Sequence, residues 1–136
     1  MAGPQTTGDM VSLRCIVTDV AESIDFYVGI LGFEVLNAFP PAFADVGRGN
    51  LRVLLSGPTS SAGRALADGS QPVPGGWNRL HFVVHDITAE VAQLRAAGVR
   101  MRSDIVTGPG GSQVVFDDPS GNPVEYFQPA NKPKGT

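Results

Sequence analysis

Few side chains in this 136-residue chain can hold a ligand or move a proton, and they lie on strand-like runs. In Arg79-Leu-His-Phe-Val-Val-His85, period-two spacing sets Arg79, His81 and His85 on one strand face. Imidazoles in such a row can ligate a divalent ion, and a guanidinium can receive an anionic or carbonyl group. The competing reading makes His81 a hydrogen-bonded lining residue and His85 a cap at the strand end. In Val11-Ser-Leu-Arg-Cys-Ile-Val-Thr18 the same alternation puts Ser12 and Arg14 on one face and Cys15 on the other. The lone Cys15 excludes an internal disulfide and a multi-thiolate metal site, and reads as a small buried hydrophobe. Trp77, the only tryptophan, stands just before the Arg79 run, where its ring would stack on a planar ligand or cover the core. Gly108-Pro-Gly-Gly111 lacks the Lys-Ser/Thr of a phosphate-binding loop and reads as a turn.

The elements that must position these residues come as a repeat. Each half opens with one of the two alternating runs and then meets an aspartate, Asp19 or Asp86, placed to cap a helix. Asp19 with Glu22 fits a capping box. Ile24, Tyr27, Val28 and Leu31 form the apolar stripe of the first helix, and Ile87, Val91 and Leu94 that of the second. Gly32 and Gly98 end them. Strands are expected at 33–39, 43–46 and 51–55, and again at 100–106, 112–116 and 124–127. Phe26, Tyr27, Phe33 and Phe39 read as core. Each half is thus β-α-β-β-β, too small to bury its sheet alone, so two modules sharing one curved mixed sheet with a central trough are expected. The fold class is α+β. The domain spans 10–130, with modules at about 11–56 and 79–128, a linker loop at 57–78 and tails at 1–9 and 129–136. A loop of that length in so small a domain is commonly a lid or binding loop.

Hydrophobic residues at 42% against 17% charged give a globular balance. With 13 acids, 10 bases and a net charge of −3, the chain lacks the basic face that nucleic-acid binding needs. No export signal and no membrane-length apolar run are visible, so a cytoplasmic protein is expected.

Val17-Thr-Asp-Val-Ala-Glu-Ser-Ile-Asp-Phe-Tyr27 with Leu31-Gly-Phe33 resembles the opening of the vicinal oxygen chelate superfamily of glyoxalases, extradiol dioxygenases and bleomycin-resistance proteins. Asp117-Asp-Pro-Ser-Gly-Asn-Pro-Val-Glu-Tyr-Phe127 resembles its closing hairpin. The resemblance spans about 11–129. It implies a single divalent ion in the trough for the family's metal enzymes, held by His, Glu or Gln from the first and last strands of each module. Carried over by register, those positions are Ser12, Val53, Arg79 and Glu125. Glu125 alone is a competent ligand, Ser12 is a poor one, and Arg79 would repel a cation. A displaced metal site from His81 and Glu125 lacks a third ligand.

An Arg79–Glu125 ion pair in place of metal is one expectation. Arg79 receiving a ligand, with Glu125 as acceptor or base and Arg14 as a second donor, is the other. The resemblance therefore implies a metal-free protein binding a small organic ligand through Ser12, Arg14, Trp77, Arg79, His81 and Glu125, with no cofactor, and acting as a homodimer. The alternative is an enzyme of lyase, isomerase or dioxygenase type, with Glu125 as catalytic base or as metal ligand. Neither nucleic acid nor membrane is expected as a partner.

Overall fold

The computed structural model describes residues 3–6, 8 and 11–131. The chain divides into two compact units, the first running to Val73 and the second starting at Pro74. Each is a βαβββ module with a four-stranded mixed sheet, and the fold class is α+β.

The first module comprises β1 (Val11–Ile16), α1 (Val20–Gly29), β2 (Glu34–Phe39), β3 (Phe43–Arg48) and β4 (Leu51–Ser56). The sheet order is β1-β4-β3-β2, with β1 parallel to β4 and the remaining pairs antiparallel. Asp19 caps α1 by accepting a hydrogen bond from the Glu22 amide at 3.0 Å. One sheet face is packed under α1, where Ala44, Val46, Val53 and Leu55 are fully buried. Burying each such Val or Leu is worth about 1.5–3 kcal/mol, which ties the short helix to the sheet. The stripe of α1 turned inward is Val20, Ser23, Tyr27 and Leu31 rather than one through Ile24 and Val28, since Val28 is exposed. Ser23 is tolerated inside because its hydroxyl donates to the Asp19 carbonyl at 2.7 Å. Phe39 is not core either: β2 is an exposed edge strand, and Phe39 stacks on Phe43 at 5.2 Å between ring centres. Cys15 is buried on the α1 side, with the Tyr27 hydroxyl donating to its Sγ at 3.8 Å.

The second module comprises β5 (Leu80–Val83), α2 (Ile87–Ala96), β6 (Val106–Gly108), β7 (Gly111–Asp117) and β8 (Pro123–Pro129), in the order β5-β8-β7-β6. Asp86 caps α2 through the Ala89 amide, and Ile87, Val91 and Leu94 form its buried stripe. Gly98, at φ +76°, ends the helix in a left-handed residue that lets the Val99 amide reach back to the Leu94 carbonyl. The strand expected over 100–106 is mostly absent. The amides of Arg102 and Ser103 both donate to the Val115 carbonyl, and the Ser103 hydroxyl accepts from the Val115 amide. A side chain thus takes a backbone place in the ladder, and regular pairing starts only at Val106.

The connecting loop is held by its own polar contacts. The Ser60 hydroxyl donates to the Gly57 carbonyl and accepts from the Gly63 amide. Beyond Pro74 the chain is pinned to the second module, where the Gly75 amide donates to Asn122 Oδ1 at 2.8 Å. The tails expected at 1–9 and 129–136 lie largely outside the described residues, and Pro129 itself closes β8 opposite Gly111. Among the described residues no helix is long and apolar enough to cross a membrane.

Candidate functional site

In each module the sheet face turned away from the helix carries the polar residues. On the second module, the parallel register of β5 and β8 sets His81 opposite Glu125. Arg79, just before β5, donates from Nε to Glu125 Oε1 at 2.9 Å. His81 Nε2 stands 3.5 Å from Glu125 Oε2, and its ring lies 5.4 Å from that of Phe127. Glu125 is buried, so its charge needs a partner in place, and Arg79 supplies it. Both carboxylate oxygens therefore face cationic or ring nitrogens. His85 is exposed.

Trp77 joins the same neighbourhood through its backbone, whose carbonyl accepts from Arg79 Nη1 at 3.3 Å. Trp77 as a whole is 71% exposed, and the Arg102 guanidinium lies 4.7 Å from the centre of its ring. Arg102 also donates to Asp117 Oδ1 at 2.5 Å and to the carbonyls of Gly76 and Gly121 at 2.7 and 2.9 Å. That fork fixes the Trp77 segment against the β7–β8 turn. One aromatic face is thus engaged by a residue that carried no signal in the sequence.

On the first module the face away from α1 bears a pocket of about 470 Å³. Its floor is Arg52, Leu54 and Ser56 of β4, with Arg14 of β1 on one side and Phe43 and Asp45 of β3 on the other. Residues 59–62 of the connecting loop form one wall, so part of that loop does line a cavity. Arg14 Nη1 donates to Ser56 Oγ at 2.9 Å. Ser12, on the same face, accepts from Arg52 Nε at 2.9 Å. Of the expected site residues, Arg79, His81, Glu125 and the Trp77 backbone come together on the second module, and Ser12 and Arg14 lie on the first. Phe43, Asp45, Arg52, Leu54 and Ser56 were not foreseen.

A protein-family model described as Glyoxalase/Bleomycin resistance protein/Dioxygenase superfamily matches residues 10–126. The chain belongs to that superfamily. No curated protein matches it. Among solved structures, a superfamily member from Sphaerobacter thermophilus DSM 20745 shares 28% identity, with a TM-score of 0.69 over 88% of this chain and 95% of its own. TnmS3, described as an antibiotic binding protein from Streptomyces sp. CB03234, shares 24% identity with a TM-score of 0.67, covering 93% of this chain and 100% of its own. A lactoylglutathione lyase from Agrobacterium tumefaciens shares 21% identity with a TM-score of 0.64, covering 92% and 96%.

The superfamily's metal-binding pattern does not fit these residues. Strand register first corrects one position. Arg14 and His81 each stand five residues before the helix-capping aspartate. Arg14 pairs with Leu54 as His81 pairs with Glu125. The counterpart of Glu125 is therefore Leu54, while Val53 is buried under α1 on the opposite face. A one-residue change of register moves a side chain through the sheet. The four positions thus hold Ser12, Leu54, Arg79 and Glu125. Ser12 is engaged by Arg52, Leu54 has no donor, and the one carboxylate is occupied by Arg79. Among the described residues no three His, Cys, Asp or Glu side chains gather to hold an ion, so His81 and Glu125 lack a third ligand.

Proposed function

We propose that this superfamily member is a metal-free binding protein for a small organic molecule. The observation that carries the reading is the pocket over β1, β3 and β4, whose volume of about 470 Å³ falls within the range of small-molecule sites and whose lining mixes apolar and polar groups. The Arg79–Glu125 pair supports it from the other module, because a guanidinium occupies the carboxylate that a metal would need. TnmS3, an antibiotic binding protein of the same fold, supports the reading as a binder. A homodimer belongs to the same proposal and rests on the family resemblance.

The test has two arms. Protein purified without chelator is offered Mg, Mn, Fe, Ni and Zn, desalted, and weighed by native mass spectrometry. A compound collection is then screened by thermal shift on the wild type and on Leu54→Asp, which sets a charge in the pocket floor. We expect no retained metal and stabilising compounds whose effect Leu54→Asp removes. Stoichiometric metal that survives desalting and is lost in Glu125→Gln would overturn the proposal in favour of an enzyme using Glu125 as a ligand.

A further inference from the structure

The charges of the first-module pocket point to the class of its ligand. Three rows of paired residues cross this face: Ser12–Arg52–Gly47, Arg14–Leu54–Asp45 and Ile16–Ser56–Phe43. Arg14 and Arg52 are diagonal neighbours on adjacent strands, so their long side chains can reach a common group. Neither lies at ion-pair distance from a described carboxylate. Among the described residues, each guanidinium makes one side-chain hydrogen bond to a neutral hydroxyl, Arg14 to Ser56 and Arg52 to Ser12. A guanidinium has five N–H donors in a planar fork, so most of that capacity faces solvent or a ligand.

This differs from the other arginines that line faces of the fold. Arg79 and Arg102 are each committed to a buried carboxylate, Glu125 and Asp117. The pocket's own carboxylate, Asp45, sits across Leu54 from Arg14, two strand spacings or about 10 Å away at the backbone, and is a diagonal neighbour of Arg52 that lies beyond ion-pair distance. The pocket is therefore polarised, with two cations at the β1–β4 side and one anion at the β3 side. Phe43 and Leu54 give it an apolar flank between them.

We propose that this pocket binds an organic oxyanion, a carboxylate, sulfonate or phosphate on a flat apolar body, with Arg14 and Arg52 on the acidic group and Phe43 and Leu54 against the body. The inference rests on the reading of the pocket as a small-molecule site. Asp45 sets the polarity: it repels the acidic group and accepts a hydrogen bond from an N–H or O–H at the ligand's far end. Charge-assisted hydrogen bonds at this partly open site give the affinity a salt dependence.

Two fluorescent probes of one skeleton test this, 8-anilinonaphthalene-1-sulfonate, which carries an anion, and N-phenyl-1-naphthylamine, which does not. Binding is titrated to the full-length protein, and the site is located by the NMR shifts of the Arg14 and Arg52 side-chain Nε–H groups. We expect the sulfonate probe to bind about tenfold tighter than the neutral one and to shift both arginine signals. Arg14→Gln and Arg52→Gln should each weaken it about five- to twentyfold, and Asp45→Asn should tighten it about two- to fivefold. Arg14→Lys, which keeps the charge without the fork, should fall between wild type and Arg14→Gln. The opposite signs at Arg14 and Asp45 separate electrostatic recognition from a general loss of folding. Equal binding of both probes in the pocket, indifferent to the arginine variants, overturns the oxyanion inference and leaves the small-molecule site standing. Binding that leaves both arginine signals unmoved, or no binding of either probe, overturns the inference together with the reading of the pocket.

Discussion

Replacing Arg79 by glutamine leaves the Glu125 carboxylate without its cationic partner, and the cost can be worked from the local geometry. The bond lost is charge-assisted, 2.9 Å long, with side chains 26% and 10% exposed. A hydrogen bond to a charged group is worth about 1.5–3 kcal/mol net. Breaking a fully buried pair costs about 3–5 kcal/mol, a limit not reached here because Arg79 keeps contact with water. We expect Arg79→Gln to destabilise the second module by about 1.5–2.5 kcal/mol. Glu125→Gln should cost less, and the double variant should show a coupling of about 1–2 kcal/mol because the neutral pair leaves no stranded charge. Urea unfolding followed by the emission of Trp77 is the assay, since that sole tryptophan belongs to the same unit. A loss below about 0.5 kcal/mol for Arg79→Gln, or a cycle with no coupling, would refute the claim that the guanidinium neutralises Glu125.

Three other outcomes are expected. Arg102→Lys should destabilise the second module by about 2 kcal/mol or more and shift the Trp77 emission, because an ammonium cannot serve Asp117, two carbonyls and the indole face together; calorimetry and fluorescence check both. Gly111→Ala should cost about 3 kcal/mol or more by chemical denaturation, since φ is +147° and a Cβ would stand 2.2 Å from the Gln128 carbonyl oxygen. The Ser70 hydroxyl and amide hold the Asp68 carboxyl below its ordinary value, the hydroxyl most strongly. A depressed folded value means that the stabilisation is present above the unfolded value and is lost as pH falls through the folded one. Ser70→Ala should therefore raise the Asp68 midpoint in an NMR titration toward the ordinary carboxylate range, and an unchanged midpoint would discount that hydroxyl.

The helices, their caps and the duplicated module were legible in the chain because they depend on neighbours in sequence. Asp19 and Asp86 cap where their spacing to the following apolar stripe says they must, and Ile87, Val91 and Leu94 are buried as the helical period requires. The family resemblance was legible for the same reason, since its motifs lie on contiguous segments. The chain departs from its local pattern where a distant segment decides. Phe39 is apolar, yet it lies on an edge strand whose described faces are open. The stretch at 100–106 alternates well enough for a strand, but Ser103 gives β7 a hydrogen-bonding alternative. Val53 and Leu54 are equally apolar in the sequence, and only the parallel register with β1 sends Leu54 to the pocket and Val53 under α1.

Single segments determined which residues could be charged, buried or turned. The tertiary structure alone decided that Arg79 meets Glu125 across a strand pair and that Arg14, Asp45 and Arg52 share one face. The physical reason is that cross-strand pairing joins residues far apart in the chain, and a shift of one residue exchanges the two faces of a sheet.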